Sequence, residues 1–62
     1  MTKEQIVKFC NEIGQIQVTI ADIKAAFPNL LSNFDNKEFH EFLLANRLEF
    51  VLPDFIFRKI SN

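Results

Sequence analysis

Apolar residues near the start of the chain recur at helical spacing. Ile6, Phe9, Cys10 and Ile13 follow the i, i+3, i+4, i+7 rule, with Val7 beside them. This predicts a helix from Lys3 to about Ile13 with that face turned inward. Gly14 follows, where a left-handed residue ends a helix well. Gln15-Ile-Gln-Val18 then alternates polar and apolar, the signature of a short strand with Ile16 and Val18 inward. Ile20, Ile23 and Phe27 share one face of a second helix, which Pro28 stops at Phe27 or one residue earlier. "PNLLSN" is a turn-rich connection from which Leu30 or Leu31 plugs the core. A third helix runs from Asn36 to about Ala45 with Phe39, Phe42 and Leu43 inward, and Asn46 as its stop.

Capping residues support all three helix starts. A capping box needs a side-chain acceptor at the N-cap and a second one three residues later. An apolar staple spans the cap from the residue before it to the fourth helical residue. Thr2 with Gln5, Thr19 with Asp22, and Asp35 with Glu38 supply the boxes. Met1 with Ile6, Val18 with Ile23, and Phe34 with Phe39 supply the staples.

The last stretch, "RLEFVLPDFIFRKI", alternates again and predicts a hairpin turning at Pro53-Asp54. Pro at the tip excludes a type I′ turn, which allows a loop longer than two residues. Setting Leu52 opposite Phe55 puts Phe50 opposite Phe57 and Glu49 opposite Arg58. Leu48, Phe50, Leu52, Phe55 and Phe57 then share one face, and an acid–base pair sits on the other. A slip of one residue would lose both features. The last strand is expected in the centre of the sheet and the one before it at an edge.

The element order is helix, short strand, helix, helix, strand, turn, strand. It resembles the winged helix-turn-helix superfamily, through "TKEQIVKFCNEIG", "QIQV", "TIADIKAAF", "DNKEFHEFLLAN" and "LEFVLPDFIFRKI". The resemblance spans nearly the whole chain and is one of order and spacing, without a signature motif. It implies an α+β fold of three helices and a small antiparallel sheet, with the third helix as recognition helix and the hairpin as wing. Two departures stand out. The connection from Phe27 to Asp35 exceeds the usual three- to four-residue turn. The hairpin tip is short and carries an acid where a DNA-contacting wing carries bases.

Composition narrows the function. Sixty-two residues make a single domain spanning 1–62, near the lower limit for independent folding. One Cys excludes an intrachain disulfide and fits a reducing, cytoplasmic setting. No apolar run approaches the ~20 residues of a membrane span. Lys exceeds Arg, and Ile, Asn and Phe are plentiful, a mix suited to an AT-rich phage, plasmid or low-GC host.

Seven basic and eight acidic side chains leave a net charge of −1, so no strong field favours nucleic acid or membrane. The resemblance still points to a nucleic-acid surface built from Asn36, Lys37, His40, Arg47, Arg58 and Lys59. Against it, Asp35, Glu38 and Glu41 lie on or beside the same helix and oppose phosphate. Catalytic chemistry has little to use. His40 and Glu41 are helix neighbours that face apart, Cys10 lies on an apolar face, and no Gly-rich phosphate loop is present. One His and one Cys cannot complete a structural zinc site. No cofactor, metal or enzymatic activity is expected.

A protein contact is expected first. Val51 and Ile56 pair on the outer face of the hairpin, flanked by Glu49 and Arg58, and Leu44 lies outside the third helix. An apolar patch with a charged rim is the usual form of such a site. The occupant would be a protein partner or a second copy of the chain. The bland alternative is a scatter of ordinary surface apolar residues.

Overall fold

The computed structural model describes residues 1–61. Its elements are α1 (Lys3–Ile13), β1 (Gln15–Gln17), α2 (Ile20–Ala26), α3 (Lys37–Asn46), β2 (Leu48–Val51) and β3 (Ile56–Lys59). The fold is α+β: three helices on a small open antiparallel sheet of order β1-β3-β2. β3 is central, as the sequence predicts.

Two predicted capping boxes form in full. Thr2 Oγ1 accepts from the Gln5 N–H at 3.1 Å, and Gln5 Oε1 accepts from the Thr2 N–H at 2.8 Å. Thr19 and Asp22 repeat the exchange at 3.1 and 3.0 Å. The third cap is displaced by one residue. Asn36, not Asp35, caps α3, accepting from the Phe39 N–H at 3.2 Å. Its amide also donates to the Asn29 carbonyl at 3.2 Å. Asp35 cannot make that second contact, because a carboxylate has no donor. At the other end Asn46 stays helical and Arg47 takes the left-handed conformation, with φ 56°. Asn46 instead turns its amide back onto the Phe42 carbonyl at 2.9 Å.

The hairpin register is the predicted one, with Phe50 opposite Phe57 and Glu49 opposite Arg58. Pairing ends at Val51–Ile56, so residues 52–55 form a four-residue tip. At the tip the Leu52–Pro53 bond is cis and Phe55 is left-handed, with φ 56°. Leu52 stands beyond the core and is exposed rather than inward.

The core is chiefly phenylalanine. Phe27, Phe34, Phe39, Phe42, Phe50, Phe55 and Phe57 form one connected cluster of rings. Phe27 meets Phe39 edge-on at 5.1 Å, and Phe50 meets Phe57 at 4.9 Å. Edge-to-face geometry lets each ring's positive edge meet a negative face, which contributes about 0.5–1.5 kcal/mol per pair beyond burial. Phe9 alone stands apart, 39% exposed.

Phe9 marks a correction to the predicted face of α1. Ile6 and Cys10 are buried, with Val7 packed against them, whereas Ile13 is 71% exposed. Ile6–Cys10 and Phe9–Ile13 are neighbouring i, i+4 rows, and only the first packs into the core. Ile20 is likewise exposed. It opens the short α2 while Ile23, Ala26 and Phe27 turn inward. Of the two candidate plugs, Leu30 packs on the core and Leu31 is exposed.

Candidate functional site

The outer sheet face holds four of the five residues predicted as a protein contact, Glu49, Val51, Ile56 and Arg58. Val51 and Ile56 sit opposite each other, with Gln17 on the far side of Ile56. Both are half-buried, and neither packs against the buried core. The next row is Gln15, Arg58 and Glu49. Arg58 Nε donates to Glu49 Oε1 at 2.6 Å, the expected acid–base pair. Ile60 extends the face beyond Arg58, and its N–H donates to the Arg47 carbonyl at 2.9 Å. Leu44 is 80% exposed on the outside of α3. The face thus presents a small apolar centre with a neutralised charged rim.

The predicted nucleic-acid set is less assembled. Asn36 is used twice as a cap and is half-buried. Lys59 bridges the Asn11 side chain at 2.7 Å and the Asn46 carbonyl at 3.1 Å. That contact places a cation at the negative end of α3. Arg58 is paired with Glu49, and Lys3 is paired with Glu38 while lying 5.1 Å above the Phe27 ring. Lys37, His40 and Arg47 stay exposed. His40 Nε2 lies 3.7 Å from Asp35 Oδ1, a loose contact between two exposed side chains.

Cys10 is a packing residue here. Its thiol donates to the Phe57 carbonyl at 3.5 Å. Burial pushes its pKa up, and the positive charge of Lys59 opposes part of that rise. A protonated, enclosed thiol is a poor nucleophile. Among the described residues no three His, Cys, Asp or Glu side chains gather as metal ligands. No helix there is long and apolar enough to cross a membrane.

One apolar feature lies outside the predicted sites. A groove of about 280 Å³ opens between α2, the α2–α3 connection and the hairpin tip. Ile20, Ile23, Leu30, Leu31, Phe34 and Phe55 line it, with Lys24 and Ser32 as the polar contributions. The sequence held a partial signal for it. A turn-rich connection needs one apolar plug, and "PNLLSNF" supplies three apolar residues.

The chain matches no protein-family model, no curated protein and no solved structure.

Proposed function

We propose that this chain is a small non-enzymatic binding module of the cytoplasm, with a winged-helix-type arrangement. It acts by occupying a protein surface, as an inhibitor, an adaptor or a self-associating unit. The observation that carries this reading is the outer sheet face. Val51 and Ile56 present apolar surface that the core does not use, and the Glu49–Arg58 pair rims it without leaving net charge. Ile60 continues that face, and Leu44 adds exposed apolar surface on α3. Nucleic-acid binding through α3 has weaker support, since Arg58, Lys59 and Lys3 are already engaged.

The test is affinity capture from a cell extract, with and without nuclease, using two baits. One is the wild-type chain and the other carries Val51→Thr and Ile56→Thr. The reading expects capture that survives nuclease and is lost with the double variant. Capture that disappears with nuclease and is unchanged by the double variant would overturn it in favour of nucleic acid.

A further inference from the structure

The groove beside α2 and the bare row of α1 are both apolar surfaces that the fold leaves uncovered. Resting on the binding-module reading, we infer that they cover each other between two copies of the chain. Phe9 and Ile13 of one copy enter the groove of the other, and Glu12 meets Lys24.

Size and chemistry fit this occupant. A cavity of about 280 Å³ falls below the roughly 300–1,000 Å³ of small-molecule sites, which suits one or two side chains. Phe9 and Ile13 are i, i+4 neighbours whose Cβ atoms lie about 5–6 Å apart on a helix surface. Two apolar anchors at that spacing are how a helix enters a groove. Glu12 is three residues from Phe9 and shares its face. Lys24 is the charged residue of the groove. Among the described residues neither Glu12 nor Lys24 makes an ion pair. An unpaired acid beside the apolar row thus matches an unpaired base beside the groove.

The groove also has unusual backbone in its lining. Phe34 and Phe55 both line it, and both are left-handed, with φ 60° and 56°. Bulky residues seldom adopt this region, and such conformations concentrate at functional sites. Left-handed geometry leaves both rings packed on the Phe50 ring, at 5.2 and 6.0 Å.

The stripe cannot reach the groove of its own chain. The Met1 ammonium lies 3.8 Å from Asp22, so α1 begins beside the start of α2. At 1.5 Å per residue, Ile13 is about 15 Å further along a rigid helix, whose Ile6–Cys10 row is fixed in the core. An occupant of the groove therefore comes from another molecule, and the exposed α1 row of a second copy supplies one. Reciprocal exchange across a two-fold axis uses both surfaces of both copies and closes at a dimer. A net charge of −1 per chain adds little repulsion.

Sedimentation equilibrium of the full chain across a concentration series tests this directly, with circular dichroism to confirm folding. The wild type is expected to dimerise. Ile13→Ser, at an exposed position, is expected to weaken dimerisation tenfold or more. Lys24→Glu and Glu12→Lys alone are each expected to weaken it by up to about 25-fold, about fivefold for each of the two ion pairs that the two-fold axis creates. Combining the two reversals is expected to restore it. A monomer throughout the series would overturn the inference, as would a dimer indifferent to Ile13→Ser and to both reversals. Neither result touches the capture assay on Val51 and Ile56, so the binding-module reading stands or falls separately.

Discussion

Asn36 holds the start of α3 with both ends of its amide, and Asp35 beside it holds nothing but a loose contact with His40. Asn36→Ala should therefore cost about 1 kcal/mol, the usual worth of an N-cap. Asp35→Ala should stay within about 0.5 kcal/mol, as for ordinary surface changes. Urea unfolding of the two variants checks this, and equal losses would contradict the cap assignment. At this scale the sequence was informative but ambiguous. Asp35 and Asn36 are both capable caps, and the choice depends on the carbonyl of Asn29, a contact that local spacing does not reveal. Cys10 makes a second residue-scale prediction. Its burial keeps the thiol protonated, so a disulfide reagent at neutral pH should label it far more slowly in the folded chain than in urea. Equal rates would show that the thiol is accessible.

The elements carry their own tests. The carboxylate of Asp22 is held below the usual Asp range, first by the backbone N–H of Thr19 and then by its hydroxyl. A lowered folded pKa contributes stability that is present above the ordinary value of about 3.9. That stability is lost as pH falls through the lower folded value. Melting temperatures between pH 5 and pH 2 should thus fall, and Asp22→Asn should flatten part of that fall. An unchanged slope in the variant would remove Asp22 from the account. For the hairpin, Val51→Thr with Ile56→Thr keeps the β-branch that suits strands. Because neither side chain packs on the core, the pair should cost about 1 kcal/mol or less. Leu48→Ala, in the core face of the same strand, should cost about 2–5 kcal/mol. Comparable losses by thermal melting would mean that the outer face is covered. Strand register was legible because alternation has a period of two and only one register pairs Glu49 with Arg58. The buried row of α1 was not, since Ile6–Cys10 and Phe9–Ile13 are both apolar and tertiary contacts, which local spacing does not reveal, decide between them.

Across the whole molecule, charge separates protein binding from nucleic-acid binding. Seven cations and eight anions are interleaved, and several of the cations are held by internal partners. Phosphate neutralisation supplies essentially all non-specific affinity for duplex. Among the described residues the four Lys and Arg side chains without an ion pair or side-chain hydrogen bond, Lys8, Lys24, Lys37 and Arg47, are spread over α1, α2 and the two ends of α3. The element order and the aromatic core were readable from periodicity, caps and turn residues. The groove was not, because it needs the α2–α3 connection and the hairpin tip brought together, two segments without a repeating pattern. The function proposed above has the chain work through protein surfaces rather than through nucleic acid. Its most direct test is fluorescence anisotropy at physiological salt on duplexes enriched by repeated selection with the chain. The account predicts dissociation constants no tighter than about 10⁻⁴–10⁻⁶ M, the non-specific range, with no preference among sequences. A nanomolar, sequence-selective isotherm would contradict it.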